Sequence, residues 1–420
     1  MKVFKFGGAS VKNAEGIKNV ADIIRKQMDT ELILVVSAMG KMTNRLEELL
    51  YAALHHLPER EKLFTAIRDD HFAVLKDLFG SSKRKISNEM DYRFNMLHQY
   101  MDSMTGENYD YEYDQIVSYG EFLSSLMVFH YLVSVGLPVH WIDARFLIRT
   151  DNTYREARLN WDVTTNSINK IVRHAFEQTD KRIVLTQGFI GGTKDAQTTT
   201  LGREGSDFSA AILAFALDAQ SVTIWKDVDG LLNADPHLFS DTVKLDKVSY
   251  REAIELAYYG ASIIHPKTLQ PLQNKKIPLY VKSFIHPDEA GSAIYDYEMK
   301  EFVPCYIIKQ DQVLISISPK DFSFIAEDNL SFIFGLVASF GIKINLMQNS
   351  EISFSICVDN RPNLNVLIEK LQTEFFVKYN FDMELLTIRH YDRPHIDKLT
   401  KGRTLLLEQK NRTTVQYVMS

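Results

Sequence analysis

A short apolar strand, Val3 to Phe6, opens the chain and runs into the small-residue turn Gly7-Gly8-Ala9-Ser10. Asn13 is placed as an N-cap, and Ala14, Ile17, Val20, Ala21 and Ile24 recur at helical spacing. Leu32 to Val36 is then an unbroken apolar run, the pattern of a buried parallel strand. A βαβ opening follows from this order. After Ser37-Ala38-Met39-Gly40-Lys41-Met42-Thr43-Asn44 the apolar period turns helical, with Leu46, Leu49, Leu50, Ala53 and Leu54 on one face, and stays so to about Met104. This predicts a helical lobe, residues 43–115, beside the sheet. The acidic and aromatic run Tyr109 to Asp114 reads as a loop packed on that lobe, and Ser118-Tyr119-Gly120-Glu121 as the start of another apolar helix.

Further strands are expected at Leu137 to Ala144, Arg182 to Ile190, Ser221 to Trp225 and Ile277 to Phe284, with a helix from Ser206 to Leu217 among the intervening helical stretches. Such alternation specifies an α/β fold with a mostly parallel sheet flanked by helices, whose ligands lie beyond the carboxyl ends of the strands. Gly7-Gly8, Gly191-Gly192, Gly202 to Asp207 and Asp227 to Gly230 all fall at that edge. A boundary is expected at Ile285 to Ser292. Beyond it the order strand Val313 to Ile317, helix Asn329 to Phe340, strands Ile342 to Met347 and Ser353 to Val358, helix Asn363 to Phe376 and strand Glu384 to Ile388 is βαββαβ, a ferredoxin-like α+β unit, and Thr404 to Gln409 with Thr413 to Val418 forms a hairpin. Two domains are expected, 1–290 and 291–420.

Composition narrows the partners. With a net charge of −6, a general nucleic-acid or anionic-membrane binder is disfavoured and a small-molecule partner favoured. Two cysteines, Cys305 and Cys357, are too few for a disulfide framework or a Cys-rich zinc site. The opening residues lack the apolar core of a signal peptide, and the richest apolar stretch, Leu126 to Val139, is interrupted by His130 and too short to span a bilayer, so a cytoplasmic location is expected. The densest candidate chemistry is Thr198 to Asp207. Its hydroxyls, Gly202, Gly205 and Arg203, just before a helix start whose N–H groups favour negative charge, suit an anionic ligand.

Lys5-Phe6-Gly7-Gly8, Thr198-Thr199-Thr200-Leu201-Gly202-Arg203, Gly205-Ser206-Asp207, Asp227-Val228-Asp229-Gly230 and Asp235-Pro236 stand in the order and spacing of the aspartate kinases of the amino-acid kinase family, which the whole chain resembles. The βαββαβ unit resembles an ACT domain, with a second ACT unit abbreviated. The resemblance implies ATP- and Mg2+-dependent phosphorylation of the side-chain carboxylate of L-aspartate to 4-phospho-L-aspartate, the first step toward lysine, threonine and methionine. It implies catalytic roles for Lys5, Gly7, Gly8 and Asp207, and substrate contacts from Ser37, Thr43, Glu121, Arg203 and Ser206. The ATP side would comprise Lys5, Gly8, Ser10, Lys226, Asp227, Asp229, Gly230 and Asp235, with no dedicated protein metal ligands. ACT-like units imply a homodimer or higher homo-oligomer and an effector amino acid, lysine favoured and threonine the alternative, near Asn329, Ile344, Asn345, Asn349, Ser350 and Glu351.

The sequence departs from the family pattern at Ala9, where threonine is usual, Glu204, where glycine is usual, His237, where arginine is expected, and Ser262, where many members have lysine. Some phosphate-facing charge is therefore missing; Lys226 or Lys267 can replace it, and Glu204 is expected to point to solvent. Two alternatives stand beside the kinase. A glutamate kinase is disfavoured by the ACT-like tail and the Glu121/Arg203 pairing. A non-catalytic amino-acid sensor is motivated by the departures and opposed by the joint presence of Lys5, Glu121, Arg203 and Asp207.

Overall fold

The computed structural model describes residues 1–80, 84–177, 182–261, 264–299, 302–321 and 323–420, so Ser262 lies outside the described residues. The chain forms two compact units. The first comprises Met1–Leu231, Lys244–Ile254 and Ile263–Glu298, the second Leu232–Val243, Glu255–Ser262 and Met299–Ser420.

The first unit is built on an eight-stranded sheet. Its strands are β1 (Lys2–Phe6), β2 (Leu32–Val36), β3 (Val139–Trp141), β4 (Ile183–Gln187), β7 (Val222–Lys226), β8 (Lys247–Ser249), β9 (Leu279–Ser283) and β10 (Ser292–Tyr295), in the order β8-β10-β9-β7-β1-β2-β4-β3. A small hairpin, β5 (Ile190–Gly192) with β6 (Thr198–Thr200), stands apart from it. Every pairing in the large sheet is parallel except β9 with β10. β10 is an additional strand beyond Ile277 to Phe284, which reads in sequence as the last.

β1 lies between β2 and β7, with Lys5 opposite Val35 and Ile224. Its alternate side chains face opposite sides. Phe4 and Phe6 pack with α1 (Ala14–Arg25) and the helical lobe, while Val3 joins the core around the apolar helix α8 (Gly205–Leu217). Burial on both faces explains the continuous apolar runs of the central strands. Asn13 caps α1 by accepting the Gly16 N–H at 2.9 Å.

The lobe contains α2 (Met42–Leu54), α3 (Arg60–Phe79), α4 (Arg84–Ser103), α5 (Tyr109–Val117) and α6 (Tyr119–Ser134). Tyr109 to Asp114, expected as a loop, is the first part of α5. Asn108 caps that helix by accepting the Tyr111 N–H, and Glu112 and Asp114 are buried, so the acidic pattern reflects internal hydrogen bonding rather than a solvated loop. The run Tyr109–Ser134 is long and apolar enough to cross a bilayer by length and composition, contrary to the expectation drawn from Leu126 to Val139, but 72% of its apolar window is buried inside the protein, as in a core helix. α7 (Trp161–Glu177) packs against α8 on the other face.

The second unit contains β11 (Cys305–Pro319), α10 (Glu327–Ser339), β12 (Ile344–Asn349), β13 (Phe354–Asp359), α11 (Leu364–Glu374) and β14 (Phe375–Arg389), the predicted βαββαβ order, in a six-stranded sheet. α9 (Pro266–Asn274) precedes them in the first unit. β11 and β14 are three times the expected length of their strands because each serves two halves. Their register shifts between Lys309 and Leu314; Val313, Ile315 and Ile317 then pack under Ile333, Val337, Leu367 and Leu371. The other half, Cys305 to Lys309 against Leu385 to Arg389, continues into β16 (Thr414–Met419) and β15 (Leu405–Lys410). The sequence reading omitted α12 (Arg393–Thr400), whose signal is visible in Asp392-Arg393-Pro394: Asp392 accepts the His395 N–H, and proline sits in the first turn.

Candidate active site

The carboxyl ends of β1, β2 and β7 deliver Phe6, Val36 and Lys226 to one edge of the sheet. A cleft of about 780 Å³ opens there, lined by Lys5, Gly8, Ser37, Thr43, Glu121, Arg203, Ser206, Asp207 and Lys226 from the expected set. Residues from β1, α2, α6 and the turn into α8, scattered over two hundred positions of sequence, thus share one cavity.

Lys5 Nζ is 2.6 Å from Asp207 Oδ1, and both side chains are nearly buried. The aspartate sits in the first turn of α8, where the helix dipole favours its charge. Gly8 has no room for a side chain: a Cβ would lie 2.5 Å from the Gly40 carbonyl oxygen and 2.8 Å from that of Ala38. The backbone turns at Gly7-Gly8 and Ala38-Gly40 are therefore pressed together at the floor of the cleft.

Glu121 is 3% exposed. One carboxyl oxygen, Oε1, accepts the Ala38 N–H at 3.2 Å, while Oε2 is buried with no hydrogen-bond partner among the described residues. Burial pushes the Glu121 carboxyl up to about 8, against the opposing pull of the Ala38 N–H and the Lys5 ammonium. A buried oxygen with an unmet bond, on a cavity wall, is a receptor for a ligand's donor.

The turn before α8 is more closed than its composition implied. The Gly205 and Asp207 N–H groups donate to the carbonyls of Gly202 and Glu204, at 3.0 Å each, so they are not open to an anion. Arg203 is left exposed on the cleft wall. Glu204 does not simply point to solvent. It takes a left-handed backbone, φ 55°, and its Oε2 accepts the His265 N–H at 2.8 Å.

The remaining expected residues are dispersed. Ser10 is buried with its hydroxyl toward the Trp225 carbonyl at 3.5 Å. Asp227 and Asp229 are exposed just beyond β7, and Asp229 is paired with His286 at 2.9 Å, which holds its carboxyl below the usual range. Gly230, φ 141°, is required because a Cβ would meet the Ser292 hydroxyl at 2.4 Å. None of Gly7, Ser10, Asp227, Asp229 and Gly230 lines the cleft, and Asp235, which accepts the His237 N–H, belongs to the second unit. Of the two lysines suggested as replacements, Lys226 lines the cleft and Lys267 does not.

In the second unit, Asn345 is not free for a ligand. It sits at a register shift of β12, where its amide joins a network with Lys309 at 2.9 Å, Gln312 at 2.8 Å and Asp359 at 2.8 Å. Asn329 accepts the Ala326 N–H at the start of α10, and the Ser350 hydroxyl meets Ser353. Asn349 and Glu351 are exposed, and Ile344 is half-buried.

Sequence reasoning missed Asp110, Tyr113, Arg155, Glu156 and Phe189, all on the cleft wall, and Asp114 behind it. Asp114 is fully buried and accepts hydrogen bonds from the Thr200 hydroxyl at 2.6 Å, the Thr200 N–H at 2.8 Å and the Arg155 N–H at 2.9 Å. Burial raises its carboxyl to about 6 in spite of these donors. Only the repeated acid in Tyr109 to Asp114 could have signalled it.

The profile of the amino acid kinase family matches residues 1–283. Lysine-sensitive aspartokinase 3 of Escherichia coli is 30% identical over 364 residues, covering 85% of this chain and 78% of that protein. Bifunctional aspartokinase/homoserine dehydrogenase 2 of Arabidopsis thaliana, chloroplastic, is 29% identical over 89% of this chain, which spans only 42% of that longer protein. The crystal structure of E. coli aspartokinase III in complex with aspartate and ADP, in the R-state, superposes with a TM-score of 0.85 at 26% identity, covering 100% of this chain and 96% of that one. With Lys5, Glu121, Arg203 and Asp207 lining one cleft of a matching fold, the chain belongs to the aspartokinases of the amino acid kinase family.

Proposed function

We propose that this chain is an aspartate kinase, transferring the γ-phosphoryl group of ATP to the side-chain carboxylate of L-aspartate. The observation that carries the reading is the buried, unpartnered Glu121 Oε2 in the same cleft as Arg203. Oε2 accepts from the substrate α-ammonium and Arg203 holds its α-carboxylate, which directs the side-chain carboxylate inward. Ser37, Thr43 and Ser206 complete that half of the cleft.

The attacking carboxylate is already an anion at neutral pH, so no general base is required. Its oxygen forms the bond to the γ-phosphorus while the bond to the bridging oxygen breaks, and that electron pair leaves with ADP. Lys5 stabilises charge on the phosphoryl oxygens and Asp207 holds its ammonium in place. Gly7 and Gly8 let the backbone approach, and Lys226 with the Asp227 to Gly230 turn flanks the nucleotide, together with Ser10. Bound with the nucleotide, Mg2+ would neutralise part of the triphosphate charge.

Hydroxylamine trapping of the acyl phosphate, with aspartate and glutamate compared at equal concentration, tests this. Aspartyl hydroxamate formed only with ATP supports it; preferential glutamyl hydroxamate, or none, refutes it. The second unit is assigned to feedback control and to homodimer formation, with the exposed Asn349, Ser350 and Glu351 as the effector contacts. Lysine is the favoured effector because a similar protein is named lysine-sensitive. Titration of lysine and threonine into the same assay discriminates between them.

A further inference from the structure

We infer that Arg155, gripped by Glu47 and Asp110, is a positioning residue that ties together the three elements presenting the amino-acid substrate. This inference rests on the aspartate kinase reading.

Arg155 is a non-glycine residue with φ 55°, directly after Tyr154 at φ 40°. Left-handed backbone at a bulky residue is unfavourable and persists where the surroundings over-determine it. Here they do so. The Arg155 N–H donates to Asp114, its carbonyl lies 3.1 Å from the Thr200 hydroxyl, and the Ala157 N–H donates to the Thr200 carbonyl at 3.0 Å. The guanidinium reaches away from this backbone anchor. It pairs with Glu47 at 3.1 Å and Asp110 at 3.6 Å, with its central carbon 4.2 Å from the Tyr113 ring centroid.

Each partner belongs to an element that carries or leads into a proposed substrate contact. Glu47 is one turn along α2 from Thr43, on the same face. Asp110, Tyr113 and Asp114 belong to α5, which leads through Ser118 into α6 and Glu121. Thr200 ends β6 and is followed by Leu201, Gly202 and Arg203. One residue thus connects α2, α5 and the Arg203 turn. The guanidinium has the geometry for this role, since its planar fork can serve two carboxylates while stacking on an aromatic face. Glu47 does not line the cleft, whereas Arg155 does. A role by direct contact with substrate and a role through Glu47 can therefore be separated.

The test uses the full chain with Arg155→Ala, Glu47→Gln and the double variant, reading aspartate binding by calorimetry and both Michaelis constants by the hydroxamate assay. Arg155→Ala should raise the aspartate Kd and KM about tenfold, in line with the sensitivity of oriented reactions to small displacements, while the ATP KM and kcat stay within about threefold. Glu47→Gln should reproduce part of the effect, and the double variant should be no worse than Arg155→Ala. Unchanged aspartate affinity in Arg155→Ala overturns the inference. So does a Glu47→Gln protein of wild-type affinity beside a weakened Arg155→Ala, because Arg155 would then act by touching the substrate. An equal rise in both Michaelis constants also overturns it, as general loosening of the fold. A wild type that binds aspartate but forms no hydroxamate refutes the kinase reading alone, since calorimetry still reads the tie.

Discussion

Replacing Glu121 by Gln should make the protein more stable and a poorer receptor for aspartate. The Glu121 carboxyl, ordinarily near 4.5, is raised to about 8 by burial. A carboxyl whose folded value lies above its unfolded value binds its proton more tightly when folded. It favours the native state most at low pH, and that contribution is lost as pH rises from about 4.5 through about 8. At pH 7 the unfolded chain gains by ionising while the folded chain holds the acid, a handicap of roughly 3 kcal/mol at about 1.4 kcal/mol per pH unit. Glutamine has the same shape and does not titrate, so Glu121→Gln should gain about 1–3 kcal/mol at pH 7 to 8 and almost nothing at pH 4.5. The assay is denaturant unfolding of both proteins across that range, with aspartate calorimetry in buffers of different ionisation heat. In the wild type near pH 7 the incoming α-ammonium should displace nearly one proton from Glu121; in the variant none should be released and affinity should fall by at least tenfold. A stability difference independent of pH, or wild-type binding without proton release, would refute the reasoning.

His71 is fully buried in the lobe, its Nδ1 against the Ile67 carbonyl at 2.7 Å, and burial pushes it down to about 4. A base lowered in the folded state loses its contribution as pH falls from about 6.5 to about 4, so wild-type stability should decline by up to about 3 kcal/mol over that window and His71→Phe should flatten the decline, read as melting temperatures at pH 5 and 7.5. Gly8→Ala places a methyl against two backbone carbonyls and should cost about 2 kcal/mol or more with a large loss of kcat; a denaturation midpoint equal to wild type would show that the turn can relax. Lys5→Ala should lower kcat, while Arg203→Ala should raise the aspartate KM as well, and near-native kcat for Lys5→Ala at saturating substrates would remove Lys5 from phosphoryl stabilisation.

The parts of the fold legible in sequence are those where one physical signal dominates. Leu32 to Val36 is apolar throughout because β2 is covered on both faces, and its observed bounds are those of the apolar run. Asn13 announces α1 because a helix start needs an acceptor at that spot. Tyr109 to Asp114 was misread because its acids look solvated in sequence. Asp114 is buried against donors from Thr200 and Arg155, distant in sequence and near only in the fold. The extended β11 and β14 escaped for a related reason: Cys305 to Lys309 alternates too weakly to stand as a strand until Leu385 to Arg389 is beside it. The motifs located Lys5, Arg203 and Asp207 by their order along the chain, but neither the Lys5–Asp207 pair nor the unmet oxygen of Glu121 has any sequence counterpart.

That contrast bears on how the two halves of the proposed site work. The amino-acid half is tied together by the protein's own bonds, with Glu121 on the Ala38 N–H, Asp114 joining α5 to β6, and Arg155 spanning α2 and α5. Little conformational entropy remains for aspartate to remove, so its ionic contacts can be spent on orientation. The nucleotide half is different. Asp227 and Asp229 are exposed, and Lys5 is already neutralised by Asp207. Glu204, the acid that replaces the usual glycine, is held by the His265 N–H, which limits its repulsion of a triphosphate without removing its charge. Phosphates must therefore draw Lys5 partly from Asp207 before they gain its full charge. The ammonium is then most strongly engaged when negative charge on the phosphoryl oxygens is greatest, and interactions weighted in this way toward the transition state accelerate transfer more than they tighten nucleotide binding.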